Sequence, residues 1–360
     1  MPNDEELMRR ALRLAEKGRY SVSPNPIVGA VVAKHGRIVA EGFHARAGDP
    51  HAEIEALRRA GERARGATLV VTLEPCSHRG RTGPCAAAVA EAGIVRVVAA
   101  RRDPNPAVAG RGFRLLRRAG VGVETGLLRA ESALQNERFD HWVTSGRPFV
   151  LAKVASTLDG RIADANGTSR WVSGGDSRQR SLEWREEFDA ILVGARTAVL
   201  DRSRLTRRLG WNRTTRQRRI VLDGGFSVPE SAEIFRNPEG VEVWVSSSNA
   251  AKERRLRSRG VEVVRIPARN GGVDLRKALA RLGRESVTGL IVEGGTRTLT
   301  GFHDAGLVDR WAIFYSPRLL GGRDCSPILA GRDVGLSHAP WLHGVRVEEI
   351  GEDILVSGRT

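Results

Sequence analysis

Residues 51–85 read HAEIEALRRAGERARGATLVVTLEPCSHRGRTGPC. Three groups in this stretch carry chemistry: His51-Ala-Glu53, Glu74-Pro-Cys76 and Gly83-Pro-Cys85. One imidazole and two thiolates fill three corners of a tetrahedral zinc site and leave the fourth for water, which is the pattern of a catalytic zinc rather than a structural one. His51, Cys76 and Cys85 are therefore the expected metal ligands. Glu53 is the expected catalytic residue, because hydrolysis of an amine needs a group that takes a proton from water and hands it to the departing nitrogen.

Local signals agree. Asp49 reads as a helix N-cap with Pro50 at the first helical position, which places His51 and Glu53 in the first turn. Pro84 opens a second helix with Cys85 in its first turn and Gly93 as the stop. A thiolate at a helix N-terminus is favoured by the exposed N–H groups. Residues 67–73 form a buried strand leading to Cys76. His-x-Glu followed by Pro-Cys and a second cysteine is the signature of zinc deaminases. Here nine positions, not three, separate the two cysteines. A disulfide or redox pair is the competing reading of the two thiols.

The chain of 360 residues, 41% apolar, is long enough for two domains. Three cysteines give no disulfide framework and fit a reducing compartment. The acidic start, Met1-Pro-Asn-Asp-Glu-Glu6, does not resemble a secretory leader, and no apolar run reaches membrane-span length. A cytoplasmic protein without a membrane partner is expected. Lys and Arg total 58 against 42 Asp and Glu, a net charge of +16 that favours anionic partners, whether nucleic acid or phosphorylated small molecules.

Along the chain, residues 4–17 carry apolar positions at helical spacing. Pro24-Asn25-Pro26 leads into a strand over 27–33, a hairpin turn at 34–36 and a returning strand over 37–43. Strands at 95–100 and 121–124, with helices at 113–118 and 129–142, complete an alternating α/β unit. Between them lie Asp103-Pro-Asn-Pro106 and Gly110-Arg-Gly112, a constrained loop of the kind that carries binding residues. Residues 144–148 read as a linker, so that the expected domains are 1–145 and 146–360. The second unit restarts with a strand at 149–154. Later a strand over 289–293, the pair Gly294-Gly295 and a helix from Thr296 have the geometry of a phosphate cradle, with a plain tight turn as the competing reading of a lone Gly-Gly.

Taken together, Pro24–Ala30, His51–Glu53, Thr72–His78, Gly80–Cys85, Asp103–Pro106, Val108–Gly112, Lys153–Gly160, Ile191–Gly194 and Val292–Gly295 resemble, in order and across nearly the whole chain, the bifunctional riboflavin-biosynthesis deaminase–reductase family. The resemblance implies an N-terminal cytidine-deaminase-like three-layer domain followed by a dihydrofolate-reductase-like α/β domain. It implies one catalytic zinc and NADPH as cofactors, phosphorylated pyrimidines rather than nucleic acid as partners, and a homo-oligomer, dimer or tetramer. It assigns Asn25, His78 and Arg81 to the deaminase substrate. In the second domain it assigns Ala155, Trp171, Thr197, Asp201 and Gly295, Thr296, Arg297, Thr298, Leu299, Thr300 and Gly301 to the cofactor. Ser169, Arg185, Leu205, Arg208 and Glu293 fall to its substrate. Arg185 and Arg208 suit a phosphate. The family usually has a proline where this chain has Ser203, which bears on Leu205 and Arg208. The alternatives are a deaminase of nucleic-acid bases such as tRNA adenosine, a basic binding module, and a deaminase joined to an impaired reductase.

Overall fold

A computed structural model describes residues 2–77, 83–106, 108–212 and 214–360. The chain divides into two compact units, Met1–Gly146 with Asn212–Thr215, and Arg147–Trp211 with Arg216–Thr360.

The first unit runs α1 (Asp4–Ala15), β1 (Gly29–Lys34), β2 (Arg37–Phe43), α2 (Ala52–Ala60), β3 (Thr68–Val71), α3 (Cys85–Glu91), β4 (Arg96–Ala99), α4 (Arg111–Arg118), β5 (Gly122–Thr125), α5 (Arg129–Gln135) and α6 (Glu137–Ser145). Its sheet has the order β2-β1-β3-β4-β5, with β1 antiparallel to β2 and β3 and the rest parallel. Strand side chains alternate between two buried faces. Ala30, Val32, Leu69, Val71, Val97 and Ala99 pack with Ala52 and Ala56 of α2, Val89 of α3 and Phe113 and Leu116 of α4. Val31, Ala33, Val70 and Val98 pack with Leu7, Met8, Ala11 and Leu12 of α1. The result is three layers with a sheet in the middle.

Some sequence expectations shift. The helix expected over 129–142 is two helices, broken at Asn136 (φ −112°, ψ 19°). The Asn136 side chain accepts from Ile27 N at 2.8 Å and donates to Ile27 O at 3.0 Å, a tertiary contact that helical spacing does not encode. His51 and Pro84 are N-caps, with α2 starting at Ala52 and α3 at Cys85, so Asp49 is not the cap and His51 stands just before the first turn.

The second unit runs β6 (Phe149–Thr157), β7 (Arg161–Ala163), α7 (Gly175–Glu187), β8 (Ala190–Gly194), α8 (Ala195–Leu200), β9 (Arg218–Leu222), β10 (Val241–Val245), α9 (Ala250–Ser258), β11 (Glu262–Arg265), β12 (Ala268–Arg269), β13 (Gly272–Val273), α10 (Leu275–Arg284), β14 (Gly289–Val292), α11 (Thr296–Asp304), β15 (Arg310–Ser316), β16 (Ser326–Pro327), β17 (His343–Ile350) and β18 (Asp353–Arg359). The main sheet has the order β11-β10-β9-β8-β14-β6-β15-β18-β17, parallel from β11 to β15 and closed by the antiparallel β17–β18 hairpin. β7 pairs with β16 and β12 with β13 in short ladders. Both faces of the parallel part are covered, one core holding Ile191, Val221, Val243, Ile291 and Phe314, the other Val150, Leu192, Ile220, Trp244 and Val292. That is why these strands read as continuous apolar runs. In such a sheet, ligands bind beyond the carboxyl ends of the strands. Ala155 on β6, Thr197 and Asp201 after β8, and Glu293 with residues 295–301 after β14 lie toward those ends, whereas Ser169 and Trp171 lie between β7 and α7, Arg185 on α7, and Leu205 and Arg208 between α8 and β9.

Candidate active sites

The end of β3, the start of α2 and the start of α3 meet in the first unit. His51 Nδ1 lies 3.2 Å from Cys85 Sγ and 3.7 Å from Cys76 Sγ, and the Cys85 amide donates to Cys76 Sγ at 3.4 Å. All three ligand atoms lie within 4.8 Å of one another. A tetrahedral zinc with bonds of about 2.0–2.3 Å has ligand–ligand edges of about 3.5–3.8 Å. Two sulfurs and one nitrogen at this spacing fit zinc in both softness and size. Cys76, Cys85 and Cys325 are free thiols, so no disulfide joins the first two.

The electrostatics are those of a proton-handling centre. The Cys85 thiol, hydrogen-bonded to Cys76, holds Cys76 down at about 4. The same bond and burial push Cys85 up. A divalent cation would reverse that second shift. The Cys76 contact raises the His51 pKa. Glu53, in the first turn of α2 and 3% exposed, is pushed up to about 7 by burial, with His51 pulling the other way.

His44, not assigned a role from sequence, is 2% exposed and stacks edge-on against His51, with ring centroids 5.2 Å apart. Its Nδ1 is 3.2 Å from Pro50 O, which can only accept, so Nδ1 carries the proton. Nε2 is then the acceptor for Asn25 Nδ2 at 3.0 Å. Asn25 is thus held one step from the metal ligands, with its carboxamide orientation set. His78 and Arg81 lie outside the described residues.

In the second unit, Gly194 N donates to Gly294 O at 3.3 Å, and Gly295 N donates to Thr197 Oγ1 at 3.0 Å. The β8–α8 and β14–α11 turns therefore lie side by side. The fit is close: a Cβ at Gly194 would stand 2.4 Å from Thr298 Oγ1, so that hydroxyl would have to move. Within the 295–301 segment the side chains divide. Leu299 is wholly buried in the core and Thr298 nearly so, whereas Arg297 is exposed. Thr296 Oγ1 donates to Pro327 O at 2.6 Å, and Thr300 Oγ1 accepts from Ala330 N at 3.0 Å. Gly301 continues the helix. What this turn offers a ligand is mainly backbone N–H.

Ser169 Oγ donates to Asp201 Oδ1 at 2.7 Å. Trp171 is 59% exposed, and the Arg178 and Arg170 guanidiniums lie 4.7 and 5.5 Å from its ring centroid. Ala155 is on β6, paired with Phe314 of β15. Arg185 makes a bidentate pair with Glu293 at 2.8 and 2.6 Å, with side chains 15% and 8% exposed. Its fork is thereby committed to a carboxylate. Burial would raise Glu293, but Arg185 and Lys153 hold it down at about 2. Lys153, also without a role assigned from sequence, sits beside this pair with its Nζ 5.9 Å from the Phe314 centroid, and burial lowers its pKa. Leu205 is 3% exposed and belongs to the core, so only its backbone can face a ligand. Arg208 is exposed and close enough for its charge to act on Glu293. Ser203 N donates to Ala198 O at 3.1 Å and Ser203 Oγ to Thr197 O at 3.3 Å, so this segment is fastened by bonds a proline could not donate.

Two family models match the chain. The RibD C-terminal domain covers residues 148–356, and the cytidine and deoxycytidylate deaminase zinc-binding region covers 1–101. The chain is 40% identical to riboflavin biosynthesis protein RibD of Aquifex aeolicus, over 98% of this chain and 97% of that one. It is 38% identical to RibD of Escherichia coli, over 98% of each. Among solved structures, Acinetobacter baumannii RibD superposes with a TM-score of 0.89 at 35% identity, covering 99% of this chain and 98% of that one. The Thermotoga maritima diaminohydroxyphosphoribosylaminopyrimidine deaminase/5-amino-6-(5-phosphoribosylamino)uracil reductase gives 0.86 at 38%, with the same coverage. The first unit is accordingly a cytidine-deaminase-type domain and the second a dihydrofolate-reductase-like one. A zinc-deaminase centre at one end of the chain, a reductase sheet at the other and this likeness along its full length show that it belongs to the RibD family of bifunctional riboflavin-biosynthesis deaminase–reductases.

Proposed function

We propose that the first unit hydrolyses the exocyclic amine of a diaminohydroxyphosphoribosylaminopyrimidine, and that the second reduces the ribosyl group of the resulting 5-amino-6-(5-phosphoribosylamino)uracil to ribityl, with NADPH. The convergence of His51, Cys76 and Cys85 beside a buried Glu53 carries the reading. His51, Cys76 and Cys85 would hold zinc, which supplies a Lewis acid that makes water nucleophilic at neutral pH. Glu53, poised near neutrality, takes a proton from water and delivers it to the leaving amine. Asn25, oriented by His44, meets the pyrimidine, with His78 and Arg81 assigned to the same substrate.

In the second unit, the 295–301 segment and the Thr197 hydroxyl bind the dinucleotide's phosphates at the start of α11, through the N–H groups of Thr296 and Arg297, since those of Gly295, Thr298 and Leu299 are bonded within the turn. Ala155, Trp171 and Asp201 complete the cofactor contacts. Ser169, Leu205, Arg208 and Glu293 receive the substrate. Arg208 takes the phosphate, because Arg185 is engaged in fixing Glu293. A charge of +16 suits these anions.

No helix among the described residues is long and apolar enough to cross a membrane, in keeping with a cytoplasmic site of action. Self-association is in keeping with the β17 edge, where Val345 and Val347 are 52% and 66% exposed; light scattering on the full chain tests it.

The decisive assay follows ammonia release and nicotinamide absorbance together. Wild type gives both signals. Glu53→Ala gives neither, and NADPH oxidation returns when the deaminated pyrimidine is supplied. Wild-type zinc protein that gives neither signal but deaminates RNA would replace this reading with the nucleic-acid one.

A further inference from the structure

The Asp103–Pro106 loop and the Gly110-Arg-Gly112 step stand out in sequence, yet neither reaction above uses them. We propose that they act through Glu74, and that Glu74 is a positioning residue for the metal centre: it ties the Glu74-Pro75-Cys76 turn to the start of α4 and so sets where the Cys76 thiolate stands.

Glu74 is 3% exposed, and its carboxylate accepts three backbone N–H groups. Oε2 accepts from Gly110 at 2.8 Å and Asp103 at 3.2 Å, and Oε1 from Phe113 at 3.2 Å. Gly110 is the N-cap of α4 and Phe113 its third residue. These are orphan donors of a helix start, which a cap side chain usually satisfies from within the same turn. Gly110 has no side chain to do so, and the carboxylate comes from 36 positions earlier. The fit is close from the other direction too. A Cβ on Gly112 would lie 1.9 Å from Pro75 O, so α4 can seat against this turn only with glycine there. On its far side Cys76 is held by α3: Ala86 N donates to Cys76 O at 3.1 Å, and Cys85 N to its sulfur. Cys76 is thereby gripped between two helix starts, and Glu74 supplies one half of the grip. Groups that orient a metal ligand without touching the metal govern metal affinity by about 10- to 100-fold.

The inference rests on His51, Cys76 and Cys85 being zinc ligands. It is tested on the full-length zinc-loaded chain with Glu74→Gln, which keeps the shape but turns an amide N–H₂ toward backbone donors, and with Gly112→Ala, which displaces the same turn from the opposite side. Zinc transfer to a chelating dye and the ligand-field spectrum of the cobalt-substituted protein are read. Both variants should release zinc about 10- to 100-fold faster and shift the cobalt bands. Reductase turnover on supplied deaminated substrate should stay at the wild-type value, showing the chain folded. Wild-type zinc release and an unchanged cobalt spectrum, with only a lowered melting temperature, would make Glu74 an ordinary structural residue and overturn the inference. A wild-type chain that takes up no zinc would defeat the metal reading itself, and this one with it.

Discussion

Replacing Arg185 with methionine removes one partner of a nearly dry ion pair and leaves the Glu293 carboxylate behind. Glu293 is held at about 2, against 4.5 unperturbed. At about 1.4 kcal/mol per unit, that depression corresponds to about 3 kcal/mol. Stranding one member of a buried pair typically costs about 3–5 kcal/mol, which agrees. For a unit of this size the melting temperature should fall by about 6–12 °C. Because the carboxylate is depressed, its contribution is present in full above pH 4.5 and is lost as pH falls from there toward 2. In Arg185→Met the charges of Lys153 and Arg208 still act on it but the bidentate partner is gone, so the acid-side loss shrinks and the two stability profiles converge at low pH. Urea unfolding followed by tryptophan emission, on full-length wild type, Arg185→Met, Glu293→Met and the double variant, measures all of this. Two apolar side chains packed in place of the pair should recover much of the single-variant loss. An Arg185→Met loss under about 1 kcal/mol, constant with pH and additive with Glu293→Met, would refute the reasoning.

Glu53→Gln should lower ammonia release by about 10²–10⁴-fold while metal analysis still finds one zinc per chain; Cys76→Ser should lose the zinc as well. Arg208→Ala should raise the reductase KM for the phosphorylated substrate by about 10- to 100-fold, the worth of one charge-assisted hydrogen bond, with a much smaller change in kcat. Ser203→Pro, which restores the residue usual in the family, removes the bonds to Ala198 O and Thr197 O but stiffens the unfolded chain, so thermal unfolding should register a change within about 1 kcal/mol.

The grouping of His51, Cys76 and Cys85 was legible in the sequence because they lie within 35 positions and each follows a proline, two of which stand at helix starts. The helix start moved by two residues at His51 and by one at Cys85, since a cap is decided by backbone angles that proline only biases. Helix spacing could not show the break at Asn136, because its cause is Ile27, 109 positions away. The same limit hid the engagement of Arg185. The family resemblance assigns it to the substrate, where its fork suits a phosphate, and only the fold brings Glu293, 108 positions later, into that fork. Lys153, His44 and Glu74 went unassigned for the same reason: a charged or polar side chain inside an apolar run shows that it is buried, but not what it faces.

The Asn136–Ile27 contact also bears on how the protein is made. Ile27 is 4% exposed, and its N–H and C=O both bond to the Asn136 side chain. Until the ribosome has released residue 136, those two groups have no partner in the native arrangement. Ser132, whose hydroxyl donates to Thr72 O at 2.6 Å, and Asp140, which pairs with Arg101, extend the same dependence. The first unit therefore cannot finish folding from its sheet alone, even though its five strands end at Thr125. These bonds can form only after α5 and α6 have emerged, by which time synthesis of the second unit is under way.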